Sequence, residues 1–203
     1  MYYRILLFVI YFSVFPVSVQ AKTILILGDS LSAAYGMPVE EGWVSLLEQR
    51  IIKQKMSYKV VNASISGETT LGVKTRLDTL LKDNQPELVI IELGGNDGLR
   101  GFALTEIEQN LFDIVKIIKH SGSGVLLVPM QLPPNYGAAY NQRFMAIFIA
   151  VSNAMEVSLS EFILNNIAQQ PELMQTDGIH PVQAAQSIML DNIWPSLHAL
   201  IVE

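Results

Sequence analysis

The chain has 203 residues, of which 16% are charged and none is cysteine, and its formal net charge at pH 7 is −6. This length suits one domain with a sizeable core, and the lack of cysteine excludes a disulfide framework and a lipoprotein cleavage site. The acidic balance argues against nucleic acid or an anionic membrane surface as a standing partner. No internal repeat or linker-like segment divides the chain.

The first 21 residues differ from the rest of the chain. Arg4 is their only charged residue, residues 5–15 are largely apolar, and residues 19–21 place small side chains where a signal peptidase cleaves. A membrane anchor is the alternative, but the uncharged run is shorter than the about 20 residues of a span, and Pro16 interrupts it. We therefore predict a signal peptide over residues 1–21, cleaved near Ala21. The mature chain, residues 22–203, would be periplasmic or secreted, without stable membrane insertion.

Apolar runs typical of buried strands alternate with segments of helical periodicity along residues 22–203. The predicted strands cover residues 23–27, 58–61, 88–93 and 125–128, with a weaker fifth near 157–163. The predicted helices cover residues 43–51, 73–81, 105–118 and 144–151, and a last helix begins with Pro181. A capping box at residues 105–108 marks the start of the third helix. This alternation predicts an α/β fold whose parallel sheet is covered on both faces.

Polar and glycine residues follow each of the first three predicted strands. Ser30 follows the first strand, Gly67 the second and Asn96 the third. Ligands of such sheets bind beyond the carboxyl ends of the strands, so these three residues are expected to share one site.

The residue types at this edge suit nucleophilic catalysis. A serine hydroxyl needs a positioned base, and His180 is the candidate, with Asp177 three residues earlier to fix its tautomer. Alone, Ser30 is also typical of a helix N-cap, and His180 of a polar residue at a helix start. Together with Asp177 they favour a Ser-His-Asp triad. We interpret Asp29 as a structural residue that accepts hydrogen bonds from nearby backbone amides.

An acyl-transfer site also needs donors for the oxyanion of the tetrahedral intermediate. The candidates are the backbone N–H groups of Ser30 and Gly67 and the side-chain amide of Asn96. The alternative for Gly67 and Asn96 is a plain turn. No phosphate-binding loop and no metal-ligand spacing occurs in the sequence, so no metal is predicted. Position 32 is serine, so the Gly-x-Ser-x-Gly elbow is absent as well.

Four segments resemble the SGNH, or GDSL, hydrolase family, and in particular its multifunctional bacterial thioesterases and lysophospholipases. They are residues 25–33, 61–69, 92–101 and 132–141, and the resemblance extends over nearly all of residues 22–200. It implies the signature residues Ser30, Gly67, Asn96 and His180, with Asp177 completing the triad.

The resemblance also implies a three-layer α/β/α, flavodoxin-like fold with about five parallel strands. It implies a periplasmic monomer without metal or organic cofactor that acts on acyl thioesters, aryl esters and lysophospholipids. Residues 132–137 resemble the substrate loop, which makes Leu132, Pro133 and Tyr136 candidates for substrate binding. The apolar run 144–151 either lines a slot for a fatty chain or faces the core.

The leading hypothesis is therefore a secreted serine esterase that acts on a small-molecule or lipid acyl ester. A carbohydrate or peptidoglycan O-acetylesterase is a second enzymatic reading, and a series of acyl lengths separates the two. An acyl- or lipid-binding module on the same scaffold is the non-enzymatic alternative, which covalent labelling of Ser30 would exclude.

Overall fold

Five parallel strands form the central sheet of the computed structural model, which describes residues 21–202. The predicted signal peptide, residues 1–21, lies outside the described residues except for Ala21. The strand order is β2-β1-β3-β4-β5. The strands are β1 (Lys22–Gly28), β2 (Tyr58–Asn62), β3 (Leu88–Glu92), β4 (Gly124–Leu127) and β5 (Ser158–Leu159).

Helices connect the strands and cover the sheet. They are α1 (Trp43–Lys53), α2 (Thr70–Asn84), α3 (Gly95–Leu99), α4 (Leu104–His120), α5 (Ala138–Met155) and α6 (Gln186–Ile201). Helices α1 and α6 pack together, and α2, α4 and α5 form a second packed group. The fold is thus the expected α/β/α arrangement. Among the helices within residues 21–202, none combines the length and apolar character needed to cross a bilayer.

The centre of the core is the pair β1 and β3. Residues 24–27 of β1 have no exposed surface, and every residue of β3 is buried. The two strands pair in parallel with Gly28 opposite Glu92, so their carboxyl ends lie side by side. Because β2 and β3 flank β1, the chain leaves β1 at the point where the strand order reverses. Loops at such a point diverge and leave a crevice for ligands.

Two predicted helix starts were wrong. The last helix begins at Gln186 rather than at Pro181, because Pro181 forms a β-bridge with Met174 and is held in extended backbone. Helix α4 begins at Leu104, with Ala103 as its N-cap and no side-chain capping bond, so the predicted capping box is not formed.

Two further elements differ in extent from the prediction. Strand β5 has only two residues, Ser158 and Leu159. Helix α5 extends back to Ala138, well before the apolar run 144–151. In that run Phe144 and Phe148 are fully buried and pack edge to face, 5.4 Å between ring centroids. The run therefore contributes to the core rather than to a slot.

Candidate active site

Ser30 lies in a tight turn directly after β1. The backbone N–H of Ala33 donates to the carbonyl of Asp29, and the N–H of Tyr35 donates to the carbonyl of Ser30. Gly28 allows this turn to fold tightly against β3, because a Cβ there would lie 2.5 Å from Ser32 Oγ in the turn and 2.9 Å from Glu92 Oε2 at the end of β3. The Ser30 side chain consequently points out of the carboxyl edge of the sheet, where its Oγ lies 2.9 Å from His180 Nε2.

His180 and Asp177 lie in one loop ahead of α6. The Asp177 Oδ2 to His180 Nδ1 distance is 2.7 Å, and Asp177 Oδ1 accepts the backbone N–H groups of Ile179 and His180 at 2.9 and 3.0 Å. Gly178 between them has φ = +65°, which suits glycine. Burial raises the pKa of Asp177, but the hydrogen bonds from His180 and Ile179 outweigh it and lower this pKa to about 2. Asp177 is therefore anionic beside the ring that would become an imidazolium.

Asn96 lies in the first turn of α3, a short helix that the sequence analysis did not predict. Its Nδ2 donates to Asp29 Oδ2 at 2.9 Å, which fixes the amide and leaves its second N–H available. Both Asn96 and Ser30 line the same cavity.

Gly67 lies in the loop between β2 and α2 and has φ = +79°. Its carbonyl accepts a hydrogen bond from Arg100 Nη2 at 2.9 Å. Within residues 21–202, Gly67 is not among the residues that line the cavity. Of the three predicted oxyanion donors, the structure thus brings two, Ser30 and Asn96, to the cavity wall.

Beneath the turn that carries Ser30 lies a pair of buried acids, Asp29 and Glu92. Glu92 has no exposed surface, and its Oε2 accepts Ser32 Oγ at 2.7 Å and the Asp29 N–H at 3.3 Å. Burial first, and the Asp29 charge second, raise the pKa of Glu92 well above its ordinary value. Burial also raises the pKa of Asp29 to about 6, against the opposing hydrogen bond from Leu31. Sequence reasoning missed Glu92, although an acid that ends an apolar strand was a usable signal.

An apolar cavity of about 360 Å³ opens beside Ser30 and His180. Leu132 and Pro133 line it as predicted for the substrate loop, and Asn141 holds both residues through hydrogen bonds to their backbone. Tyr136 does not line it among the described residues; its hydroxyl donates to the Leu99 carbonyl at 2.9 Å.

The opposite wall of the cavity comes from the irregular segment 162–174, which the sequence analysis did not assign to the site. It contributes Phe162, Leu164 and Met174. A larger open groove of about 690 Å³ lies between α2 and α4, but none of the predicted site residues lines it. Within residues 21–202, no cluster of three His, Cys, Asp or Glu side chains is arranged to hold a metal ion.

Comparison with known proteins identifies the family of this chain. Residues 26–188 match the model of the GDSL-like Lipase/Acylhydrolase family. The chain belongs to this family. Esterase TesA of Pseudomonas aeruginosa is 46% identical over 181 residues, which cover 89% of this chain and 90% of TesA. Thioesterase 1/protease 1/lysophospholipase L1 of Escherichia coli is 43% identical, over 89% of this chain and 86% of that protein.

Solved structures of the family share the fold. The crystal structure of TesA superposes with a TM-score of 0.87 at 46% identity, over 88% of this chain and 99% of that one. The psychrotrophic esterase EstA from Pseudoalteromonas sp., inhibited by monoethylphosphonate, gives a TM-score of 0.85 at 41% identity, over 90% of this chain and all of EstA. The predicted family, the α/β fold and the assignment as a hydrolase are thereby confirmed.

Proposed function

We propose that this acylhydrolase is a serine esterase that cleaves acyl esters and thioesters through an acyl-enzyme intermediate. The observation that carries the proposal is the chain of contacts Ser30–His180–Asp177, with distances of 2.9 and 2.7 Å, at the mouth of an apolar cavity. These distances are within hydrogen-bond reach for proton transfer.

In the proposed reaction Ser30 Oγ attacks the carbonyl carbon while His180 Nε2 takes its proton. The Asp177 carboxylate holds the other ring nitrogen and stabilises the imidazolium. His180 then donates the proton to the leaving alcohol or thiol, and a water activated by the same nitrogen releases the acyl group from Ser30.

In this proposal the Asn96 amide and the Ser30 N–H donate to the oxyanion of each tetrahedral intermediate. The Gly67 N–H is the third donor that the family resemblance implies, although Gly67 does not line the cavity among the described residues. The Asp29–Asn96 hydrogen bond supports this role because it orients the amide before substrate arrives. One preorganised donor of this kind is typically worth about 3–4 kcal/mol of barrier.

The apolar cavity supports an acyl chain as the part of the substrate that is recognised. Each methylene that it buries would contribute about 0.8 kcal/mol to binding. The name of the Escherichia coli relative adds thioesters and lysophospholipids as substrate classes, and the family resemblance adds aryl esters; we extend all three to this chain. An acetyl group would leave most of the cavity unfilled, which disfavours the O-acetylesterase reading.

The central test is the variant Ser30→Ala with p-nitrophenyl esters, beside Ser187→Ala, an exposed serine on α6, as the matched control. We expect Ser30→Ala to fold normally and to lose hydrolysis, whereas Ser187→Ala keeps it. A fluorophosphonate should label the wild type at Ser30, which a lipid-binding module would not allow. Full activity of Ser30→Ala would refute the assignment.

The acyl specificity is tested with a series of matched thioesters, aryl esters and lysophospholipids of increasing chain length. Higher kcat/KM for hexanoyl or longer chains than for acetyl supports the esterase assignment. A preference for acetyl would support the sugar deacetylase instead.

We also propose that residues 1–21 are removed on export and that the mature enzyme is a periplasmic or secreted monomer. Removal of these residues changes the net charge from −6 to −7, since Arg4 is their only charge. The mass of the protein recovered from the cell envelope or medium should correspond to a start at Lys22, and light scattering should give the mass of one chain.

A further inference from the structure

A half-exposed tyrosine covers the His180 ring. The ring centroids of Tyr35 and His180 are 4.3 Å apart and the ring planes are inclined by 34°, while 49% of Tyr35 remains exposed. The ring that Tyr35 contacts belongs to the proposed catalytic base. Tyr35 is also tied to the nucleophile, because its N–H donates to the Ser30 carbonyl at 3.1 Å.

Gln175 fastens the tyrosine to the histidine loop. Its Nε2 donates to the carbonyls of Tyr35 and Pro181 at 2.9 and 3.1 Å, and its backbone N–H donates to the His180 carbonyl at 2.7 Å. The Gln175 amide packs on Gly36, where φ is +77° and a Cβ would lie 2.6 Å from Gln175 Oε1. One side chain therefore joins the segment of Ser30 to the segment of His180.

The imidazole ring needs this support because its hydrogen bond to Asp177 alone does not define its plane. A ring held only at Nδ1 can still tilt and carry Nε2 away from Ser30 Oγ. The Tyr35 ring closes one face of the imidazole and limits that tilt. An aromatic face also attracts a cation, and so favours the imidazolium formed when Ser30 gives up its proton.

We propose that Tyr35 is a positioning residue of the reaction, which aligns His180 with Ser30 and stabilises the imidazolium. This inference rests on the proposed function. It makes Tyr35 and Gln175 parts of the machinery although neither residue touches the reacting atoms.

The test compares Tyr35→Leu with Tyr35→Phe, which keeps the ring. With a butanoyl ester we expect Tyr35→Leu to lower kcat by roughly 3- to 10-fold with little change in KM, as for loss of a partly exposed aromatic–cation contact and of ring alignment. Tyr35→Phe should retain near wild-type kcat. Equal kcat for Tyr35→Leu and the wild type, or an equal loss in both variants, would overturn the proposal.

Two further measurements keep the result decisive. The rate at which a fluorophosphonate labels Ser30 should be lower in Tyr35→Leu than in the wild type, by a factor similar to the fall in kcat. Equal labelling rates would refute only the role of Tyr35. A wild type that is not labelled would refute the proposed function itself. If Tyr35→Leu fails to fold, Gln175→Ala tests the same contact without altering the ring. It should lower kcat in the same direction, and an unchanged kcat would count against the proposal.

Discussion

Asp177, Asp29 and Glu92 are three carboxyl groups of one site in three different environments. Asp177 accepts three hydrogen bonds near the surface, which hold its pKa at about 2. Asp29 is buried, which raises its pKa to about 6, although it still accepts the N–H groups of Leu31 and Asn96. Glu92 is fully buried, and its Oε1 has no hydrogen-bond partner among the described residues. Negative charge is thus favoured beside the histidine and disfavoured beneath the serine.

Glu92→Gln should preserve the fold and change how stability depends on pH. The pKa of Glu92 is raised in the folded state, so its contribution to stability is present while it is protonated and is lost as pH rises through that pKa. A glutamine stays neutral and keeps an oxygen for Ser32 and the Asp29 N–H. We therefore expect the difference between the Tm of Glu92→Gln and the Tm of the wild type to become more positive as pH rises from about 5 to about 9.

The control for this pH series is Glu108→Gln, which removes the same formal charge from an exposed position on α4. Thermal unfolding of the three proteins in matched buffers gives the comparison. A Tm difference between Glu92→Gln and the wild type that stays constant over this pH range would contradict a neutral Glu92.

Among single residues, the sequence predicted site positions only for those that belong to short motifs. Ser30, Asn96 and His180 were predicted to lie together because each stands at the end of a strand or loop with a recognisable neighbour, and the structure places all three at one cavity. Glu92 and Tyr35 were missed because their roles depend on contacts between distant segments. The Glu92–Ser32 bond needs the β1–β3 register, and the Tyr35–His180 contact needs two loops to meet.

Among the elements, α1 illustrates a helix whose start is stabilised from another part of the chain. Its N-cap, Gly42, has no side chain that could accept a hydrogen bond. The backbone N–H of Trp43 instead donates to Gln186 Oε1 at 3.0 Å. Gln186 is 1% exposed and is the first residue of α6. The bond therefore joins the two helices that cover the same side of the sheet.

Gln186→Ala should destabilise the protein by about 1–3 kcal/mol, because it leaves the buried backbone N–H of Trp43 without a hydrogen-bond acceptor. Gln183→Ala, an exposed glutamine one turn earlier, should change stability by less than about 0.5 kcal/mol. Urea denaturation followed by fluorescence measures both. Equal effects of the two substitutions would show that the bond to α1 contributes nothing.

The elements that sequence predicted well are those with a local signal. Helices α1, α2 and α4 carry apolar residues at helical spacing, and β1 and β3 are short apolar runs. The start of α6 was misplaced because proline is equally suited to a first helical turn and to extended backbone. In this structure Pro181 has extended backbone because it forms a β-bridge with Met174, and the local sequence around Pro181 does not encode that pairing.

For the whole molecule, the cavity is the product of several segments and is sensitive to packing behind it. A Cβ on Gly98 would lie 2.8 Å from Leu132 Cδ2 and 3.0 Å from Phe144 Cε2. Phe144 is fully buried, so Leu132 is the side chain that must move, and it lines the cavity. Gly98 thus sets the position of a cavity wall without contacting the cavity.

Gly98→Ala should shorten the preferred acyl chain. Exclusion of two methylenes at about 0.8 kcal/mol each would lower the kcat/KM ratio of decanoyl to butanoyl esters roughly 15-fold. Overpacking should also cost about 1–3 kcal/mol of stability. Leu132→Ala removes a side chain from the same wall, which enlarges the cavity, and should shift the preference towards longer acyl chains. The same ratio in Gly98→Ala and the wild type would contradict this role of Gly98.

The general placement of the site followed from sequence, whereas the shape of the cavity did not. Ser30 and Asn96 follow the adjacent parallel strands β1 and β3, so their meeting at one edge of the sheet was predictable, whereas Gly67, which follows β2, does not line the cavity among the described residues. The segment 162–174 has neither a helical nor a strand period, and contacts with distant residues hold it: Asn192 Nδ2 donates to the carbonyls of Ile163 and Asn165, and Met174 pairs with Pro181. For that reason Phe162, Leu164 and Met174 emerged only from the structure.

The 150 residues that separate Ser30 from His180 have a consequence for biogenesis. A growing polypeptide that has reached only β4 carries Ser30 without His180, its proposed base, and would be inert towards esters. Competence would arrive abruptly, when the loop ahead of α6 docks onto the turn after β1. The onset of ester cleavage during refolding would then report when these two distant segments meet.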